Sequence, residues 1–421
     1  MADGTEPIPA ARLAPGRIER DLRTIVWVQA LRAFLYGFGS ILIGSVLAGA
    51  GLSDAKVGLV FTAMLAGMAL TSIGLGLRGH RIRRRRLYAV LLLGMGAAGA
   101  VYALTTWLPA LLLVALTGTL STDPNESGPI TSVEQTMIGE ADARARLRVF
   151  GRYNAIAYLT GSVGALAAGG PAALRGVVPS LPPNQRFLLL FPVLAVVCAV
   201  LAGRLSPAVE PDSAEPSSQR RPTLHRSRRS VTRLSALFAL DAFGGGFVVQ
   251  AFLVFWFRRK FGAGVDLMAV VFFGAGLLQA ASSLVAARLA GRIGLLNTMV
   301  FTHLPSNLLL AAVPFAPSLG LAIALLLARF ALSQMDVPTR QAYVVAMVDP
   351  DERLAAAAYT NTARYAIRPL GPVAGGALMQ HVALAGPFLA AGALKIAYDA
   401  ALFTLFRRAP APEAGPNKTP T

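Results

Sequence analysis

Charged side chains stand in this chain where charge is costly. Arg32, Arg340, Arg364 and Arg368, with the acids Asp123, Glu126, Glu134, Asp241 and Asp336, fall within or beside stretches that are otherwise largely apolar. If those stretches cross a bilayer, each mid-membrane charge costs roughly 2.5–3.5 kcal/mol and must face a partner or a wet cavity. Two chemistries suit such residues. Carboxyls such as Glu126, Glu134 or Asp241 could bind and release a proton in an apolar setting. Arginine forks could hold a carboxylate or a phosphate-like anion, and Asn361, Arg364 and Arg368 share one helix face by their spacing. Four basic groups against five acidic ones nearly balance, so the sign of a substrate stays open. Asp336 and Arg340 are four apart and can pair along one helix, and Lys395 with Asp399 reads as a structural pair by the same spacing. Tyr36, one turn beyond Arg32, could line a path.

Two of the stretches are interrupted by polar sequence. Ser121-Thr122-Asp123-Pro124-Asn125-Glu126-Ser127-Gly128-Pro129 follows an apolar run too short to span a membrane alone, and Glu134 comes soon after. Prolines there free backbone groups, and broken helices at the membrane centre are places where ligands and coupling ions bind. Asp123 and Glu126 share a face by i, i+3 spacing. Met335-Asp336-Val337-Pro338-Thr339-Arg340-Gln341 makes a second interruption, with Gln341 placed 207 residues after Glu134.

The elements that must hold these residues are membrane helices. Hydrophobic residues make up 55% of the 421 and charged residues 14%, against about 25% charged in ordinary soluble chains. Mean hydropathy is +0.57. The net charge of +18 does not imply nucleic acid, because the arginines cluster between apolar runs. A span needs about 20 apolar residues. Twelve are expected, at 24–50, 57–77, 87–104, 110–138, 149–170, 187–205, 231–257, 267–287, 295–313, 319–348, 355–379 and 383–405. With that count most basic clusters fall on one side, which places both termini in the cytoplasm by the positive-inside rule. Arg258-Arg259-Lys260 falls on the other side. The lone Cys198 excludes a disulfide framework, and the four histidines show no metal-ligand spacing.

The chain also repeats itself. Asp142, Arg146, Asn154, Gly164 and Gly169 recur 207 residues later as Asp349, Arg353, Asn361, Gly371 and Gly376. Leu31-Arg32-Ala33-Phe34 with Gly37 matches Leu240-Asp241-Ala242-Phe243 with Gly246. Arg32 and Asp241 thus occupy equivalent places with opposite charge, and are expected either to pair with each other or to have separate partners. Duplication of a polytopic chain suits a substrate path between two similar bundles.

Two six-span halves joined by a basic, Pro-rich linker resemble the major facilitator superfamily. The stretch Gly76-Leu77-Arg78-Gly79-His80-Arg81-Ile82-Arg83-Arg84-Arg85 lies where that family has its loop between helices two and three, with His80 replacing the acid. Gly291-Arg292-Ile293-Gly294 is the equivalent in the second half, and Gly371-Pro372 with Gly375-Gly376 resembles the family's Gly-Pro motif. The resemblance implies an all-α polytopic membrane protein with twelve transmembrane helices in two pseudo-symmetric six-helix bundles. Expected boundaries are an N-terminal segment 1–23, a first bundle 24–205, a cytoplasmic linker 206–230, a second bundle 231–405 and a tail 406–421. It further implies a plasma-membrane secondary transporter that moves a small solute by alternating access. Proton coupling through the buried carboxyls and an anionic substrate are expected. The expected partners are that solute, protons and the lipid bilayer, with no cofactor, no metal and no nucleic acid; an oligomer is not implied. A multidrug efflux antiporter, a facilitative carrier and a polytopic membrane enzyme are the alternatives. The candidate residues are Arg32, Tyr36, Asp123, Asn125, Glu126, Glu134, Asp241, Asp336, Arg340, Gln341, Asn361, Arg364 and Arg368.

Overall fold

A computed structural model describes residues 15–78, 83–121, 123, 128–139, 143–210, 224–349 and 352–408. The expected positions Asn125 and Glu126 lie outside the described residues, as do most of the linker and the tail. All regular structure among the described residues is helical. Nine helical stretches are long and apolar enough to cross a membrane, and the other expected spans are present as broken or charge-tipped helices.

The first half runs α1 (Pro15–Gly49), α2 (Asp54–Arg78), α3 (Arg84–Leu104), α4 (Leu108–Ala115), α5 (Pro129–Gly139), α6 (Ala143–Ala167), the short α7 (Gly170–Leu174) and α8 (Leu190–Gly203). The second runs α9 (Arg228–Gly246), α10 (Gln250–Phe261), α11 (Val265–Ile293), α12 (Leu295–Ala312), α13 (Leu319–Ser333), α14 (Asp336–Ala346), α15 (Arg353–Ile367), α16 (Leu370–His381) and α17 (Gly386–Phe406). Helix α1 begins earlier than hydropathy indicates. Its polar first turns hold Asp21, whose carboxylate accepts from the backbone N–H and hydroxyl of Ser206 and ties α1 to the end of the first half.

The expected break in span four is real. Helix α4 stops at Ala115 and α5 starts only at Pro129, because Gly118 takes a left-handed φ of 69° and two prolines follow. Span ten breaks just before Asp336, between α13 and α14. Two further breaks were not expected. Span seven parts at Phe247–Val249 after the run Gly244-Gly245-Gly246, and span eleven at Arg368-Pro369.

The repeated glycines do the same work in each half. A Cβ on Gly37 would strike the backbone of Gly161, and one on Gly164 the backbone of Phe34, so α1 and α6 cross in direct backbone contact. Gly246 and Gly371 meet in the same way where α9 crosses α16. Small residues permit this approach, which drives helix association where lipid supplies no hydrophobic force.

One end of the molecule carries the basic clusters and the other carries the α1–α2, α10–α11 and α16–α17 turns. The hydrogen bonds and ion pairs that join the halves among the described residues lie between this second end and the middle. Ala55 N–H donates to Gln380 Oε1 at 3.2 Å, Thr62 Oγ1 donates to Pro369 O at 2.7 Å, and Val373 N–H donates to Thr62 Oγ1 at 2.9 Å. There α2 and α16 lie too close for side chains between them, since a Cβ on Gly58 or Gly376 would meet the opposite backbone. The Arg258-Arg259-Lys260 cluster belongs to this end. It forms the last turn of α10, where cations complement the helix dipole. Lys260 donates to Pro314 O, and Arg259 lies 3.5 Å from Asp54 across the halves.

Candidate functional site

The interior charges gather into three groups. The first is sealed inside the first half. Arg32 of α1 donates to Glu134 Oε2 of α5 at 2.6 Å, to Tyr153 OH of α6 at 3.1 Å and to Gln29. Tyr88 of α3 donates to Glu134 Oε1 at 2.7 Å, and Tyr153 donates to Oε2. The Arg32 guanidinium lies 5.2 Å from the centroid of the Tyr36 ring, and Tyr36 OH donates to Thr119 O at 2.8 Å. Arg32 is 2% exposed and Glu134 is fully buried. This arrangement neutralises both charges and holds four spans together.

The second group fills the second half and centres on Asp241 of α9. Its carboxylate is met by Lys395 of α17 at 2.6 Å, Arg364 of α15 at 3.0 Å and Arg340 of α14 at 3.5 Å. Arg340 also pairs with Asp336 at 2.7 Å, the local pair expected from their spacing. Lys395 does not pair with Asp399 as its spacing indicated. The lysine turns to Asp241, and Asp399 instead meets His303 Nδ1 at 2.9 Å and Asn307 Nδ2 at 2.9 Å. A network of three cations on one carboxylate satisfies more donors than the i, i+4 pair would.

The third group joins the halves. Asp123, in the span-four break, accepts the backbone N–H of Gln250 on Oδ1 at 2.7 Å and pairs with Arg368 through Oδ2 at 2.9 Å. Gln250 is the first residue of α10, so the carboxylate sits at a helix N-terminus, where backbone donors and the dipole favour an anion. The Gln250 side chain donates to Ser40 Oγ of α1 at 2.9 Å. Beside this contact a small cleft is lined by Leu65, Met68, Ala69, Ser72, Tyr365, Arg368 and Pro369. Arg364 and Arg368 keep 22% and 25% of their side chains exposed.

Arg32 and Asp241 therefore have separate partners, each within its own half. Glu134 belongs to the sealed first group and stands apart from the cleft. Asn361 and Gln341 are exposed on their helices and join none of the three groups. Sequence reasoning missed His303, Asn307, Tyr88 and the Asp123–Arg368 contact across the halves. A polar His303-x-x-x-Asn307 face inside an apolar span was the available signal for the first two.

These helices, with breaks in equivalent spans and charges between halves, make a specific fold. The family model described as Major Facilitator Superfamily matches residues 27–334 and 234–421. The chain belongs to the Major Facilitator Superfamily. Among superfamily structures, a bacterial homologue of the human lysosomal transporter Spinster, inward-facing and unoccupied, superposes with a TM-score of 0.65 at 14% identity, covering 93% of this chain and 96% of that one. A variant of the nucleoside transporter NupG superposes with a TM-score of 0.71 at 13% identity, covering 92% and 100%. At these identities the likeness speaks for the fold alone. An uncharacterised membrane protein of Saccharomyces cerevisiae is 24% identical over 422 residues, covering 92% of this chain and 94% of its own. As a superfamily member the chain is a multi-pass membrane transporter.

Proposed function

We propose that this protein is a secondary active transporter of a small anionic solute, coupled to protons and working by alternating access. The observation that carries the reading is the placement of Arg364 and Arg368. Arg368, at the end of α15, lines the cleft, and Arg364 lies one turn before it; both are partly exposed, and each is held by a carboxylate. A guanidinium fork held ready in this way suits a carboxylate or phosphate-like group. An anion that takes Arg368 competes with Asp123 for it. Since Asp123 also caps α10, losing Arg368 weakens the contact between the halves. Substrate binding and rocking of the halves are thereby linked through one residue.

The contact where α2 meets α16 closes that end of the path between the halves, and the reading puts the opposite opening at the basic end. The distribution of arginines supports a plasma-membrane orientation with that basic end and both termini on the cytoplasmic side. Residues 24–205 and 231–405 would move as the two bodies, with 206–230 linking them. The sealed Arg32–Glu134 group keeps the first half rigid as it moves.

Uptake into proteoliposomes tests the reading. The probes are membrane-impermeant anions (gluconate, sulfate, inorganic phosphate and a sugar phosphate) beside neutral and cationic solutes of similar size. The expected result is uptake of one anion class, reduced at least about tenfold by Arg364→Met, the loss of a charge-assisted contact. Uptake confined to neutral or cationic solutes would overturn it.

A further inference from the structure

We propose that His303 and Asp399 form the proton-carrying site of this transporter, and that loading it with a proton is what readies the Asp241 hub for an anion. The inference rests on the anion reading above and adds a site on α12 and α17 that adjoins Asp241.

The geometry is that of a bridge. His303 Nδ1 faces Asp399 Oδ1 at 2.9 Å, and His303 Nε2 faces Asp241 Oδ1 at 3.7 Å. Asn307 Nδ2 lies 2.9 Å from Asp399 Oδ2 and 3.1 Å from His303 Nδ1. Asp399 is 1% exposed, and among the described residues it has no arginine or lysine within ion-pair distance, unlike Asp241 and Asp336. A buried carboxylate without a cation needs a proton of its own or on a neighbour.

Two protonation states follow. With one proton, on Nδ1 and directed at Asp399, the pair carries a single negative charge, and the bare Nε2 lone pair faces the Asp241 carboxylate. With two protons the pair is neutral, and Nε2–H points at Asp241. The second proton resides either on the imidazole or on Asp399, and both placements satisfy the contact between Nδ1 and Oδ1. With a proton committed to the Nδ1–Oδ1 contact, only the loaded state sets a donor against Asp241.

The surrounding charge then changes with loading. Three cations, Lys395, Arg340 and Arg364, share ion pairs with Asp241 and Asp336. Loading the His303–Asp399 pair removes one negative charge from beside this set, and a monoanion at Arg364 would restore it. An anion drawing Arg364 from Asp241 also leaves room for Nε2–H to take its place. Proton and anion therefore favour each other's binding, and by linkage the effect is reciprocal. Other ionisable groups facing this region are Tyr398, whose ring stands edge-on to the imidazole with centroids 5.8 Å apart, and Arg329 on α13, stacked over Phe330. Helix α11 carries its charges, Asp266, Arg288 and Arg292, toward its ends.

The test has two readouts on the full-length protein. In nanodiscs, [15N]histidine NMR follows the four imidazoles, with the His303 signal identified by its loss in His303→Gln. Its nitrogens are expected to change protonation as pH is varied. Asp399→Asn is expected to shift that change by at least about one pH unit, and an anion that the wild type carries to move it to higher pH. In proteoliposomes, His303→Gln is expected to reduce acceleration by an imposed pH gradient about tenfold. A His303 ring that does not titrate, or titrates indifferently to Asp399→Asn, overturns the proposal, as does an undiminished pH-gradient response in His303→Gln. If no anion moves in the wild type, the anion reading fails, and the NMR titration still decides the proton site by itself.

Discussion

Asp123 of the first half and Arg368 of the second stand 2.9 Å apart, and the same carboxylate caps the helix that begins at Gln250. One side chain thus holds both a cation and a helix N-terminus of the opposite half. Charged hydrogen bonds of this kind contribute about 1.5–3 kcal/mol each. Asp123→Asn should therefore move the equilibrium between end-closed and end-open states by about tenfold or more. Spin labels on α2 and α16 near the closed end should report a longer distance in a larger share of molecules. An unchanged distribution would show that the contact does not hold the halves together.

The glycine contact between α2 and α16 gives a second test. A methyl group on Gly376 would overlap the backbone at Asp54. Gly376→Ala should fold, because the contact lies between the halves, yet favour the state open at that end. Faster labelling of a cysteine placed at Thr62 would register it, in a Cys198→Ser background.

The sealed group in the first half predicts stability instead of transport. Glu134→Ala leaves Arg32 buried without its carboxylate, which costs about 3–5 kcal/mol. Replacing both, Arg32→Met with Glu134→Leu, should recover much of that loss. Thermal unfolding in detergent checks the pair of variants; a double variant as unstable as the single one would contradict it.

At the basic end, Glu352 accepts from the backbone N–H groups of His225, Arg226 and Ser227, the last two at 2.8 and 2.9 Å. Hydrogen bonds from Ser227 and these amides push its carboxyl down to about 2 from an ordinary 4.5. The native value is the lower one, so this docking of the linker is intact above about 4.5 and is lost as pH falls toward 2. Protease cleavage near residue 225 should stay slow to about pH 4 and quicken only below it in wild type, while Glu352→Gln should be cut readily at neutral pH.

The duplication, the span-four break and the Asp336–Arg340 pair were legible because each is a local or periodic signal. The groups around Asp241 and Glu134 were not. Asp241 meets Lys395, Arg364 and Arg340 from three helices far along the chain, and helix rotation, which sets those meetings, leaves no trace in spacing. Lys395 and Asp399 show the limit most clearly: four apart on α17, they reach different partners because each finds a stronger one across a helix interface. The breaks at Phe247–Val249 and Arg368-Pro369 had signals in Gly244-Gly245-Gly246 and in the proline itself. Hydropathy, which averages over such residues, passed over them.

A reversible cross-link at the closed end tests alternating access most directly. Ala55 and Gln380 touch across the halves there, and Ala55→Cys with Gln380→Cys in a Cys198→Ser background allows a disulfide or short cross-linker to lock them. The account predicts that anion uptake stops on oxidation and returns on reduction. Uptake that continues through the locked state would contradict it.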